Sequence, residues 1–233
     1  MRGSLGRRST FWALLSGVLV VFPLAFEASA SPLSVGGTVL TPGTTPLGAG
    51  TVLTNATMAF AGTTVLGVTN FTGTLQLQVV KETGSGTLDF YFQIFNDSSS
   101  LDAIDRLTTG NYTGFATDVD WTNNATIGVA STFANRATAD TVGFSFVGAP
   151  FGNGLILPGT NSAVLFIKTD ATQFTQGTVQ LINDATANVL AFAPVPEPST
   201  GALVALGTAF AVLLTCRRQP IWDRRPVRHP RHR

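Results

Sequence analysis

Cysteine is nearly absent from this chain, and histidine is almost as scarce: of 233 residues, one is Cys and two are His. Cys216 lies near the C-terminus, His229 and His232 lie later still, and the stretch from Ser31 to Thr200 contains neither type. Disulfide crosslinks are therefore excluded from that stretch, as are Ser-His-Asp and Cys-His nucleophilic chemistry and zinc sites built on His or Cys. Cys216 itself reads as a small apolar residue. Charge is thin as well, at 12% Asp, Glu, Lys and Arg. Between residues 31 and 200 only Lys81, Arg106, Arg136 and Lys168 are cationic, four against eleven acids, for a net charge of −7 in a chain that carries +1 overall. A body of that sign does not suit nucleic acid or anionic lipid as a partner. The helix formers Glu, Lys and Met are rare in it, and it holds a single Trp, Trp121.

What is abundant is Thr, Val, Phe and Gly, with Gly or Asn punctuating every ten residues or so. That is the composition of strands and turns. Leu75, Leu77 and Val79 share one face of Thr74–Val79, and Leu88, Phe90, Phe92 and Ile94 share one face of the next run, with Asp89, Tyr91 and Gln93 opposite. Val142, Phe144 and Phe146 repeat the pattern, as does Thr178–Leu181, whereas Ser162–Lys168 is a continuous apolar run suited to a strand buried on both faces. The expectation is one all-β domain over residues 31–193, of nine or ten strands in two sheets: a β-sandwich of jelly-roll or immunoglobulin-like type, with a β-barrel or short β-solenoid as the alternative. Asp170–Phe174 is expected to form one helical turn capped by Asp170. No repeat of fixed period is present.

The two ends have a different character. Arg2, Arg7 and Arg8 precede an uncharged run from Phe11 to Phe26, and Ala28-Ser29-Ala30 supplies small residues for cleavage after Ala30. Residues 1–30 thus read as a secretory signal peptide for signal peptidase; Pro23 and the Ala-x-Ala site argue against a retained anchor. At the other end Val195-Pro196-Glu197-Pro198-Ser199 is followed by an uncharged apolar segment, 201–216, and then Arg217-Arg218. Sixteen residues of helix span roughly 24 Å, short of the ~30 Å hydrocarbon core, but flanking arginines can snorkel across the shortfall. Arg217 and Arg218 act as a membrane stop and place the body outside. Residues 219–233 form a basic tail with five more arginines, expected to remain cytoplasmic and without a nucleic-acid role.

Residues 194–218 resemble the PEP-CTERM sorting signal of Gram-negative bacteria, which orders a Pro-Glu-Pro motif, a transmembrane helix and an arginine cluster. The resemblance implies an exported protein processed by exosortase and released or attached at the cell surface, in the company of exopolysaccharide and biofilm matrix. The tail beyond Arg218 departs from the pattern, because such chains usually stop soon after the basic cluster.

No cofactor is expected, with calcium the one candidate. Asn96, Asp97, Asp102 and Asp105 fall in one loop, and Asp118 and Asp120 share one face of a strand; these are hard oxygen donors of the kind calcium takes, although solvated turn residues are the favoured explanation. Trp121 and Tyr112, with Tyr91, are candidates for stacking on sugar rings, against the reading that they fill the core. Asn55, Asn70, Asn96, Asn111 and Asn124 each begin an Asn-x-Ser/Thr triplet. The function expected is that of a non-enzymatic exported surface or matrix protein associated with exopolysaccharide. A carbohydrate-binding module is the first alternative, and a glycoside hydrolase using Glu82 and the aspartates as paired carboxylates is the second.

Overall fold

The computed structural model describes residues 30–43, 45, 48–122, 128–147, 154–195 and 208. The expected signal peptide up to Ser29, the motif residues Pro196, Glu197, Pro198 and Ser199, the stop at Arg217 and Arg218, and the basic tail lie outside the described residues, as does the apolar segment 201–216 apart from Thr208. Among the described residues no helix is long and apolar enough to cross a membrane.

Twelve strands follow in chain order: β1 (Ser31–Pro32), β2 (Thr38–Leu40), β3 (Gly50–Thr63), β4 (Thr69–Glu82), β5 (Leu88–Asn96), β6 (Arg106–Thr109), β7 (Thr117–Thr122), β8 (Phe133–Asn135), β9 (Val142–Ser145), β10 (Val164–Thr169), β11 (Phe174–Ile182) and β12 (Thr186–Pro194). The all-β expectation holds. The strands form one antiparallel sheet rather than two, in the order β1-β7-β10-β5-β4-β3-β12-β11-β6-β9-β8-β2. The two ends of that order are consecutive in the chain, so the segment leading from β1 to β2 bridges the gap. Leu33 N donates to Thr117 O at 2.8 Å on one side, and Gly36 N donates to Arg136 O at 2.8 Å on the other. The sheet is thus curled into a nearly closed, barrel-like form. Its weakest seam is between β3 and β12, where only Thr63 and Thr186 pair.

The interior is filled from every side by the faces that the alternation marks. Leu75, Leu77 and Val79 on β4, Phe90, Phe92 and Ile94 on β5, Leu165 and Ile167 on β10, and Val179 and Leu181 on β11 belong to one buried cluster with Phe144, Phe146 and Leu107. Burying a large apolar side chain contributes about 1.5–3 kcal/mol, and without disulfides this packing is the main source of stability. Arg136 is buried as well. Its guanidinium donates to the carbonyls of Tyr112 (2.6 Å), Phe115 (2.9 Å) and Ala139 (2.8 Å) and to Thr117 Oγ1 (3.1 Å), tying the loop before β7 to the loop after β8.

Residues 170–173 do not form the expected helical turn. The Asp170 carboxylate accepts from Ala116 N at 3.0 Å, a partner in another loop, and Phe174 already begins β11. The chain leaves the body at the end of β12, where Pro194 pairs with Phe174 and Val195 N donates to Gln173 O at 3.1 Å. The β3–β4 hairpin tip lies at the opposite pole, beside Thr186 at the start of β12. Val65 and Leu66 are fully exposed there.

Candidate functional site

Cross-strand register brings chemistry together on the outer face of β4, β5, β10 and β7. Val80 pairs with Asp89, Asp89 with Lys168 and Lys168 with Asp118, so the two aspartates flank the lysine in one row. Lys168 Nζ donates to Glu82 Oε1 at 3.2 Å. One row along, Asn55, Gln78, Tyr91, Phe166 and Asp120 are aligned.

Three described residues between β2 and β3, Gly43, Thr45 and Gly48, lie over this face. Gly43 N and Thr45 N donate to the Asp120 carboxylate at 2.8 and 3.2 Å, and Thr45 Oγ1 does so at 2.7 Å. Gly43 has φ 68° and lies directly on the indole of Trp121, where a Cβ would collide with the ring; glycine is required there for both reasons. Gly48 stands over the charged row. A methyl group on it would lie 3.3 Å from Asp89 Oδ2, 3.6 Å from Lys168 Nζ and 3.7 Å from Glu82 Oε1.

Under this cover the carboxylates diverge. Asp89 is 1% exposed, and burial pushes its carboxyl up to about 6 against the opposing pull of Lys168. Its Oδ2 accepts from the Tyr91 hydroxyl at 3.2 Å, while Oδ1 has no hydrogen-bond partner among the described residues. Glu82 moves the other way, held below its ordinary value by hydrogen bonds from Ser85 and Lys168. Burial raises Asp118, with Lys168 partly offsetting it. Two carboxylates with opposite shifts beside a lysine could in principle divide acid and base roles. Here the raised one is buried beneath Gly48, while Lys168 and Glu82 keep 25% and 30% of their side chains exposed.

The loop residues named as calcium candidates do not converge. The Asn96 amide is buried and donates to the carbonyls of Asp102 (3.0 Å) and Ile156 (2.9 Å). Asp97 accepts from Thr72 Oγ1 at 3.0 Å, and Asp102 accepts from Ala103 N at 2.8 Å. Asp105 is half-buried, and burial raises it against the pull of Arg106. Asp118 and Asp120 do share the outer face, but one lies beside Lys168 while the other is consumed by Gly43 and Thr45. Among the described residues no group of three acidic, His or Cys side chains is placed to hold a metal.

Of the aromatic candidates, Tyr112 and Trp121 are turned inward, whereas Tyr91 lies buried on the outer face. Tyr112 is fully buried, its ring edge-on to Phe90 with centroids 6.1 Å apart, so it offers no face to a sugar. Trp121 is half-buried on the core, roofed by Gly43, and its Nε1 donates to Thr41 O at 2.7 Å. Ala30, at the expected cleavage site, packs on Tyr91 and Phe166 in a small cluster on the outer face. Among the triplet asparagines, Asn96 is buried, while Asn55 and Asn111 are exposed.

Sequence reasoning missed an open groove of about 400 Å³ on the outer face of β3, β4 and β5. Its lining side chains are Asn55, Thr57, Gln76, Gln78, Tyr91 and Gln93, with Val164 at one end. The alternation that put Leu75, Leu77 and Val79 inside also put Gln76 and Gln78 outside on one strand; that was the available signal.

No curated protein and no solved structure matches the chain. One family model does: the PEP-CTERM protein-sorting motif matches residues 194–219, beginning where β12 ends, so the chain carries the C-terminal signal of exported proteins sorted by exosortase.

Proposed function

We propose that this is a non-catalytic surface or matrix protein: a single β-rich body exported through its signal peptide, held briefly by the apolar segment 201–216, and released by exosortase to work beside exopolysaccharide. The observation that carries this reading is the junction at Pro194. The last strand is fully paired with β11 up to that residue, and the sorting motif starts there without an intervening domain. A body that completes its hydrogen bonding before the motif can be cut away from its anchor without losing a strand. The net charge of −7 suits a solvated extracellular surface. The covered state of Asp89 supports the absence of hydrolase activity.

The test replaces Pro196, Glu197 and Pro198 together by Ala and follows the protein in membrane and extracellular fractions of an exosortase-bearing host. Accumulation of the variant in the membrane fraction, against release of the parent, is the expected result. Equal release of both would remove the sorting reading.

A further inference from the structure

The groove on β3, β4 and β5 gathers several polar side chains that have no partner among the described residues of the body. Asn55, Thr57, Gln76 and Gln78 make no side-chain hydrogen bond to another described residue, yet they stand in register on adjacent strands: Asn55 opposite Gln78 and Thr57 opposite Gln76. Some comparable groups elsewhere are tied up. Gln180 Nε2 donates to Asn188 Oδ1 at 3.0 Å on β11 and β12, and Thr72 Oγ1 donates to Asp97 at 3.0 Å. What sets the groove apart is that three carboxamides stand together on two paired strands around one concavity.

The lining restricts the ligand. No charged side chain lines the groove, so a phosphate or carboxylate would find no countercharge, and the −7 body repels polyanions. β4, β5 and β10 pair with their neighbours on both sides, so the groove floor offers no backbone edge for an added peptide strand; β3, at its rim, meets β12 only at Thr63. Recognition on the floor of the groove comes from the side chains. A carboxamide presents two donors and an acceptor within one planar group, and Thr adds a hydroxyl. That set matches the neighbouring hydroxyls of a sugar, each both donor and acceptor, while Val164 gives the ring carbons an apolar contact. Three inter-strand steps from β3 to β10 extend about 14 Å. The volume of about 400 Å³ falls within the range of small-ligand sites, roughly 300–1,000 Å³.

We propose that this groove binds an uncharged polysaccharide segment, with Asn55, Gln76 and Gln78 supplying the hydrogen bonds. The proposal rests on the matrix-protein reading above and gives it a site. It is tested with the full chain purified in detergent, by affinity electrophoresis in gels containing dextran, laminarin or galactomannan, with alginate as the anionic control. Retardation by at least one neutral polysaccharide and none by alginate is expected. Loss of one good hydrogen bond weakens binding about tenfold, so Q76L and Q78L should each reduce retardation by that factor, and Q180L on β12's partner strand should not. The double variant N55A/T57A provides a second reading with smaller, strand-compatible side chains. Absence of retardation in all three neutral gels overturns the proposal, as does retardation that Q76L, Q78L and N55A/T57A leave unchanged. Fractionation of the same variants separates this from sorting: normal release with no glycan binding sinks the groove alone, whereas failure of the parent chain to be released sinks the matrix reading beneath it.

Discussion

β5 and β12 are both nine-residue antiparallel strands in one sheet, yet they live in different surroundings. Along β12 exposure alternates: Ala187, Val189 and Ala191 are buried and Thr186, Asn188 and Leu190 are exposed. Along β5 nearly every residue is buried, Asp89 and Gln93 included. Backbone pairing on one side or two (β12 meets β3 only at Thr186) does not by itself bury an outward-facing side chain. The β2–β3 connection and the packing of Tyr91 on Phe166, centroids 5.7 Å apart, do. A nearly closed sheet has one shared interior, but this one has acquired a second, small buried layer outside β5 and β10.

The largest test of that contrast is Phe166→Ala. Phe166 is 1% exposed although it points away from the main core. Truncating it should cost about 3–5 kcal/mol, as for an interior Phe. Denaturant unfolding measures it, and a loss under 1 kcal/mol would mean that the outer layer is not a packed layer.

Asp120→Ala comes next. The carboxylate accepts from Gly43 N, Thr45 N and Thr45 Oγ1, and its loss leaves buried donors unpaired at about 3 kcal/mol in total. Limited proteolysis should then cut between residues 41 and 49 before anywhere else in the body. Unchanged protection there would show that the connection is held by something other than Asp120.

Asp89→Asn probes the charged row, faced by Tyr91, Lys168 and Glu82. The folded carboxyl is raised to about 6 from 3.8. The folded state therefore keeps the proton to higher pH, and the group's contribution to stability is greatest below about pH 4 and falls as pH rises to about 6. The loss is on the order of 2–3 kcal/mol. The amide variant should flatten stability between those pH values and be the more stable form at neutral pH. A parent whose melting temperature is flat over the same range would contradict this.

The smallest effect belongs to β12. Leu190→Ser changes an exposed side chain and should stay within about 0.5 kcal/mol of the parent.

The same contrast explains what could be read from the sequence. Where burial follows pleat alone, alternation was sufficient: the inward sets on β4, β5 and β11 stand as expected, and the unbroken run Ser162–Lys168 contains β10, buried on both faces between β5 and β7. Where burial depends on a non-local segment, it was not. Asp89, Tyr91 and Gln93 read as a solvent face, because nothing in Thr41–Ala49 indicates what it lies on. The choice between two sheets and one curled sheet also escaped, since it turns on the two-residue strand β1 and the three-residue strand β2, too short for a periodicity. The calcium candidates were close in sequence, but the fold gives them separate partners: Thr72 for Asp97, Ala103 N for Asp102, Lys168 beside Asp118, and Gly43 and Thr45 for Asp120. The groove was half visible as Gln76 and Gln78, but its other wall, Asn55 and Thr57, needed the register between β3 and β4.

The most direct measurement is the intact mass of the protein recovered from the extracellular fraction of its native host. A species that begins at Ser31 and ends near Pro196-Glu197-Pro198 is predicted, a β body freed at both ends. A species that retains residues 201–233 would contradict it, and would make the C-terminal segment a permanent anchor.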